Sequence, residues 1–164
     1  SRPLRSNARR SPEPAVTALT TERLVRTWRL QQWQCIYEDG TTTEPFGADS
    51  EGLLLYSADG WMSACIMAPG RARLPTTNPR DASEAERAAA FDGYFSYAGR
   101  WRILDRRVQH EVTLALNPGM VGTLQLRDAE LSDHGLTLSA TEPVRGGTRQ
   151  HRLVWQRPAS GTVG

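Results

Sequence analysis

The amino-acid sequence predicts an all-β protein, an eight-stranded antiparallel up-and-down barrel with one short helix between its third and fourth strands. Short apolar stretches recur along the 164 residues, and turn-forming Asp, Gly and Pro residues separate them. Most of these connections are too short for the crossovers of a parallel sheet, so neighbouring strands are expected to pair antiparallel. Strands that close into a small barrel can enclose one small molecule, which places the expected function inside the barrel.

The clearest hairpin signal is Ser57-Ala58-Asp59-Gly60 between two apolar stretches. Asp-Gly in this position predicts a type I′ turn, whose two central residues both have positive φ. Asp39-Gly40 predicts a similar turn after the first strand. The eight predicted strands cover residues 27–38, 52–57, 61–68, 94–104, 107–116, 123–131, 136–140 and 150–156.

One helix is predicted at residues 83–91, because Ser83 can cap it, Glu84 and Glu86 suit its first turn, and three alanines continue it. A helical turn at residues 21–25 is expected to plug one end of the barrel. The barrel domain is expected to cover residues 21–158. The Arg- and Pro-rich residues 1–20 predict a flexible tail, either a solvated leader or a lid over the barrel mouth, and residues 159–164 predict a second tail.

Composition excludes several classes of function. All 20 basic residues are arginine, the net charge is +2, and the arginines are scattered rather than gathered into a stripe, which argues against a nucleic-acid partner. The sequence has neither an apolar stretch of membrane-spanning length nor the apolar core of a secretion signal, so we expect a cytoplasmic protein without a membrane partner. Cys35, Cys65 and the three histidines lack metal-ligand spacing, and no nucleotide-binding or nucleophile-elbow motif is present. No metal or other cofactor is therefore expected.

Four separated motifs resemble those of the bacterial lipocalin-like domain family. They are Leu24-Val25-x-Thr27-Trp28-Arg29-Leu30, then Tyr56-x-Ala58-Asp59-Gly60-x-Met62-Ser63-Ala64, then Ala90-Phe91-Asp92-Gly93-Tyr94 with Tyr97-x-Gly99, and Arg152-Leu153-Val154-Trp155. The resemblance covers about residues 24–157 and implies a calycin-type barrel of eight strands with a central pocket. Related small barrels include ligand carriers and enzymes that cyclise natural products, so the fold alone does not fix the function. The chain departs from the family pattern at Gly119 and Met120, where an aromatic residue and an asparagine are usual.

Alternation along the strands sorts candidate site residues by face. On predicted strand 107–116, the apolar and therefore inward face consists of Val108, His110, Val112, Leu114 and Leu116. His110 is then a polar group in an apolar interior, and it matches a histidine often present in the family that the chain resembles. It can transfer a proton or polarise a carbonyl, or its hydrogen bonds can lie within the core.

The strand after the helix is expected to turn Phe95, Tyr97 and Trp101 inward. The Tyr97 hydroxyl can stabilise negative charge on a substrate oxygen, and Trp101 offers a flat wall for a planar ligand. Both residues also fit ordinary core packing. On the preceding hairpin, Tyr56 and Met62 are the expected inward residues.

Two arginine predictions complete the analysis. Arg127 either anchors a carboxylate or an enolate through its planar fork or points outward into solvent. The resemblance also implies that Arg152 or Arg157 stacks over Trp28 at the base of the barrel, as a structural closure.

The expected function is that of a cofactor-independent cyclase or isomerase of natural-product metabolism, in which His110 or Tyr97 activates a carbonyl of a small apolar substrate. The expected ligand-binding residues are Tyr56, Met62, Phe95, Trp101, Val112, Leu114 and Arg127. Two alternatives are a non-catalytic carrier or sensor of a small hydrophobic ligand, and a solid barrel that binds a protein. A homodimer is a further option.

Overall fold

The computed structural model describes residues 17–160 and confirms the closed antiparallel barrel. Its α-helices are α1 (Thr21–Leu24) and α2 (Glu84–Asp92), its short 3-10 helices are Pro79–Asp81 and Pro118–Met120, and its strands are β1 (Thr27–Tyr37), β2 (Thr42–Thr43), β3 (Glu51–Tyr56), β4 (Trp61–Met67), β5 (Tyr94–Leu104), β6 (Arg107–Ala115), β7 (Leu124–Leu131), β8 (Gly135–Val144) and β9 (Gly147–Gln156). Strand β1 pairs with β3, each strand from β3 onward pairs with the next, and β9 pairs back onto β1 to close the barrel. The two-residue strand β2 adds to the end of β1 and was not predicted. Most of the two predicted tails, residues 1–16 and 161–164, lies outside the described residues.

The β3–β4 hairpin is confirmed, but its predicted turn type is wrong. Gly60 has a φ of 87°, whereas Asp59 does not take positive φ. The Gly60 amide donates to the Ser57 carbonyl at 3.1 Å, and the Ser57 amide donates to Trp61. The loop therefore has three residues and ends on a left-handed glycine, so it needs positive φ at one position only.

Helix α2 forms as predicted. The Ser83 side chain accepts from the Glu86 amide at 3.2 Å, and the Glu86 carboxylate accepts from the Ser83 amide at 2.8 Å. This reciprocal pair satisfies two amides that the first helical turn leaves without partners. Within residues 17–160, no helix combines the length and the apolar content needed to cross a membrane.

The last two strands are longer than predicted. Strand β8 continues to Val144, and β9 begins at Gly147. Pro143, which lies beyond the predicted strand 136–140, pairs with Thr148 in the extended part of the hairpin. Proline is tolerated there because this part of β8 pairs with β9 alone, so one side of the strand needs no amide donors.

Strands β7 and β8 separate towards one end of the barrel. Their ladder runs from Leu131 paired with Leu136 to Asp128 paired with Ser139. Beyond that point, residues 124–127 pair with β6 and residues 140–144 pair with β9. The separation leaves the barrel wall without a continuous ladder at this end.

A bulge in β6 changes the face of one predicted site residue. Ala98 pairs with Leu114 but Gly99 pairs with Val112, so Thr113 is an extra residue in β6. The extra residue reverses the alternation beyond it. The inward prediction for Leu114 is therefore wrong, because its side chain is 68% exposed.

One end of the barrel is closed by packing between α1 and the start of β1. Leu24 and Trp28 are fully buried, and the Trp28 indole donates to the Leu24 carbonyl at 3.0 Å. The guanidinium above Trp28 belongs to Arg26, 5.4 Å from the ring centroid. The prediction of Arg152 or Arg157 there is wrong, because Arg26 reaches the ring from the same short segment.

We predict that Gly99→Ala strongly destabilises the barrel. A Cβ at this position would lie 1.8 Å from the Glu111 carbonyl oxygen, so the bulge would have to rearrange. Overpacking usually lowers the free energy of unfolding by about 1–3 kcal/mol. Because the clash is with backbone, we expect a loss of about 3 kcal/mol or more, and urea unfolding measures it. Gly93→Ala is the matched control, since its Cβ would meet ordinary contacts of 3.4 Å or longer. Equal stability of the two variants would contradict the prediction that the β6 bulge leaves no room for a Cβ at position 99.

Candidate functional site

The barrel contains a cavity of about 370 Å³, within the usual range for small-molecule sites. Much of its wall is apolar and comes from Leu54, Ala64, Ile66, Phe95, Leu138 and Leu153. Residues from both separated ends of β7 and β8 also line it, including Arg127 and Glu142. The cavity therefore lies at the end of the barrel where these strands part.

The cavity brings together some of the predicted site residues and leaves others out. Phe95, Tyr97, His110 and Arg127 line it. The inward predictions for Tyr56, Met62, Trp101 and Val112 are confirmed by their burial, but these side chains lie outside the cavity lining and pack in the filled part of the barrel. Leu114 lies on the outer face.

A buried hydrogen-bonded chain joins three strands and includes two residues of the cavity wall. The Tyr56 hydroxyl lies 2.7 Å from His110 Nε2, and the Tyr97 hydroxyl lies 2.7 Å from His110 Nδ1. The exposed fractions are 3% for Tyr56, 1% for His110 and 6% for Tyr97. Each ring nitrogen of His110 is thus used by a tyrosine from a different strand.

Burial keeps all three groups uncharged at neutral pH. It lowers the pKa of His110 to about 3, and the positive charge of Arg127 contributes to this shift. Burial also raises the pKa of both Tyr56 and Tyr97, because it penalises their phenolate forms. His110 is therefore a neutral imidazole with one donor and one acceptor nitrogen.

The burial of Tyr56 assigns a direction to this chain. Within residues 17–160, the Tyr56 hydroxyl has His110 as its one side-chain partner, so it must donate to Nε2 or leave its proton unpaired in the core. An unpaired buried donor costs about 1–3 kcal/mol. On this ground we assign Tyr56 as the donor to His110 Nε2 and the Nδ1–H of His110 as the donor to Tyr97, which leaves the Tyr97 O–H for an acceptor in the cavity that it lines.

Arg127 and Trp155 also line the cavity. Arg127 donates to the Gln125 side chain at 3.2 Å and to the Leu126 carbonyl at 3.1 Å, and no carboxylate among residues 17–160 forms an ion pair with it. The Arg127 side chain is half-buried at the edge of this cavity. Trp155 also lines the cavity and is 2% exposed, and its indole N–H has no hydrogen-bond partner in the described part of the chain.

A second polar cluster, formed by Trp33, Cys35, Glu142, Arg149 and His151, lies where β1, β8 and β9 meet. The Trp33 indole donates to His151 Nδ1 at 3.2 Å, so Nε2 carries the proton and donates to Glu142 at 2.8 Å. Glu142 also forms an ion pair with Arg149. The hydrogen bond from His151 is the main reason that the pKa of Glu142 is lowered, with Arg149 contributing. The cluster holds the Glu142 carboxylate in its ionised, paired form.

This cluster does not form a metal centre. Cys35 Sγ lies 3.3 Å from His151 Nδ1, whereas Glu142 binds Nε2 on the other side of the ring. The thiol and the carboxylate therefore cannot share one ion with the same imidazole nitrogen. No group of three or more His, Cys, Asp or Glu side chains within residues 17–160 has a metal-binding arrangement.

Sequence reasoning missed Trp33, Glu142, His151 and Trp155. Alternation along residues 150–156 places His151, Leu153 and Trp155 on one face of the strand, and this pattern is the sequence signal that predicts them to point inward. Glu142 lay beyond the predicted end of its strand. Trp33 follows a bulge at Gln31 in β1. Because a bulge exchanges the inward and outward positions beyond it, the alternation seen at the start of β1 would place Trp33 on the outer face.

Comparisons with known proteins agree with this architecture. The family model described as a lipocalin-like domain matches residues 25–158. A 4'-hydroxy-3'-methoxypropiophenone carrier protein, ppsC, of Aspergillus oryzae (strain ATCC 42149 / RIB 40) is 30% identical over 106 residues, which cover 58% of this chain and 96% of the carrier. No solved structure matches the chain significantly.

We predict that the buried histidine makes stability fall in mild acid. The pKa of His110 is about 3 in the fold and about 6.5 in the unfolded chain, so the unfolded state binds the extra proton between these values. The contribution of His110 to the free energy of unfolding is complete above pH 6.5, and at pH 4.5 the free energy of unfolding is lower by about 2–3 kcal/mol. Chemical unfolding from pH 7.5 to 4.5 measures this loss.

The control is His134→Gln, which changes an exposed turn residue and is expected to keep the wild-type pH profile. In the wild-type protein, 15N NMR should show His110 as a neutral ring with its proton on Nδ1 down to pH 5. An imidazolium signal at that pH would contradict the lowered pKa of His110. This measurement uses the wild-type protein, so it does not depend on whether a His110 variant folds.

Proposed function

Because the chain belongs to the family of lipocalin-like domains, we propose that it binds a small, largely apolar molecule inside the barrel and carries it without covalent change. The observation that supports this function best is Tyr97, which lines the apolar cavity and whose hydroxyl is held 2.7 Å from His110 Nδ1. An apolar cavity with a few fixed polar groups is typical of small-molecule sites. The donor selects a ligand that presents an oxygen acceptor.

The walls of the cavity favour a planar ligand. Trp33 and Phe95 both line it, with ring centroids 5.8 Å apart, and Phe95 packs edge-on against Tyr97 at 5.6 Å. Aromatic side chains bury a large area against a flat molecule and retain preferred edge or offset contacts. An aryl ketone combines the two required features, since its ring fits these walls and its carbonyl oxygen accepts from Tyr97.

The similarity to the Aspergillus carrier supports the same class of ligand. That protein is named for a hydroxylated, methoxylated aryl ketone. We extend to this chain only the shared chemistry of an aromatic ring and a carbonyl, in a setting of natural-product metabolism. His110 then acts as a positioning residue, because its two nitrogens are occupied by tyrosines and it reaches a ligand only through Tyr97.

A cofactor-independent isomerase or cyclase is the second candidate, favoured by the presence of Glu142 in the same cavity. In such a reaction, the Glu142 carboxylate would take a proton from the carbon next to the carbonyl, and the electron pair would move to the oxygen held by Tyr97. The lowered pKa of Glu142 makes it a weak base. For this reason the carrier is the preferred function.

Deuterium exchange distinguishes the two candidates. Propiophenone in D2O is incubated with the protein, and loss of the proton signal next to the carbonyl is followed by NMR. A carrier leaves the exchange rate at its protein-free value. Accelerated exchange that disappears in Glu142→Gln would overturn the carrier and establish proton-transfer chemistry at this cavity.

We predict that Tyr97→Phe weakens the binding of aryl ketones by about three- to tenfold, the usual worth of one neutral hydrogen bond. Isothermal titration with acetophenone, propiophenone and 4'-hydroxy-3'-methoxypropiophenone measures the effect. Tyr94→Phe is the control, because Tyr94 precedes Tyr97 on β5, lies on the opposite face and does not line the cavity. Lack of saturable binding to all three ketones, or equal affinities in the two variants, would count against the proposal.

A further inference from the structure

The unpaired polar groups inside the cavity are hydrogen-bond donors. Tyr97 lines the cavity and its hydroxyl has His110 as its side-chain partner among residues 17–160, and Arg127 has donor capacity beyond its two bonds to Gln125 and Leu126. A guanidinium group has no acceptor atoms. The donor set therefore matches a ligand group that is rich in acceptors.

Arg127 gives this end of the cavity a positive charge. Its charge acts to lower the pKa of His110, Tyr56 and Tyr97, and its side chain lines the same cavity as His110 and Tyr97. Among the described residues, no Asp or Glu lies within ion-pair distance of it. A guanidinium that faces a cavity without a carboxylate partner is suited to a planar, negatively charged group.

The other groups that face the cavity do not cancel this charge. Glu142 on β8 is the one acidic residue in the lining, and it already pairs with Arg149 and accepts from His151 on β9. The Gln125 oxygen on β7 accepts from Arg127 itself. His110 on β6 is neutral, and the lining residues from β3 and β4 are apolar.

We infer that the natural ligand presents an ionised acidic oxygen, a carboxylate or an acidic enol, to Arg127 and Tyr97 at the end of an apolar, planar body. This inference rests on the proposed function and narrows its ligand class. A neutral ketone uses the Tyr97 donor alone, whereas an anionic oxygen pair can also accept from Arg127. Charge-assisted hydrogen bonds are roughly twice as strong as neutral ones.

Cinnamate and cinnamamide test the inference, because they share one shape and differ in charge at neutral pH. Isothermal titration of the full chain at pH 7.5 is expected to give cinnamate about tenfold tighter binding. In Arg127→Gln this ratio should fall towards one, while the affinity for cinnamamide changes by less than about twofold. Arg102→Gln is the matched control, since Arg102 is exposed on the outer face of β5.

The possible outcomes separate the inference from the proposed function. If the two probes bind equally well to the wild-type protein, the cavity takes neutral ligands and the inference is wrong while the carrier function stands. If Arg127→Gln keeps the preference for cinnamate, the anion is recognised elsewhere and the assignment to Arg127 is wrong. If neither the probes nor the aryl ketones bind, the proposed function fails and the inference fails with it. Circular dichroism and thermal unfolding confirm that each variant is folded.

Discussion

The pairing of β1 with β9 is the interaction on which the rest of the structure depends. The ladder runs from Arg29 paired with Gln156 to Tyr37 paired with Arg149, and it converts an open sheet into a closed barrel. Closure leaves neither strand as an edge and encloses the inner faces of the strands as one core. It also brings Trp33 to His151 across 118 residues of sequence, and so forms the polar cluster that holds Glu142.

The barrel is filled at one end and contains the cavity at the other. Trp28, Met62 and Trp101 fill the part towards α1, where Leu24 closes the end. Small residues stand at inner positions in the other part, including Ala64 and Ala140, which line the cavity. A closely packed interior tolerates few voids, so a cavity of this size provides space for a small molecule.

The chemistry of the cavity depends on the protonation and hydrogen bonds of the residues in its wall. A neutral imidazole forms hydrogen bonds to Tyr56 in the core and to Tyr97 at the cavity. Burial keeps the imidazole neutral over the physiological pH range. Groups fixed in this way need little reorganisation when a ligand arrives, which favours both binding and the stabilisation of charge on a bound oxygen. The same donors would therefore serve a carrier and an isomerase. The difference between these functions lies in Glu142, whose pairing with Arg149 and His151 weakens it as a base.

The sequence alone determined the architecture, because alternation of apolar residues, Asp-Gly turns and the capped helix act over short distances and need no knowledge of tertiary contacts. It also placed Tyr97 and His110 inside, since no bulge interrupts the stretches of strand that contain them. Tertiary structure decided what local patterns do not encode. The bulges at Gln31 and Thr113 depend on the partner strand, and they set the faces of Trp33 and Leu114. The division into a filled end and a cavity depends on side chains from many strands meeting at one level of the barrel. For the same reason, the hydrogen-bonded chain of Tyr56, His110 and Tyr97 forms only when three distant strands are assembled.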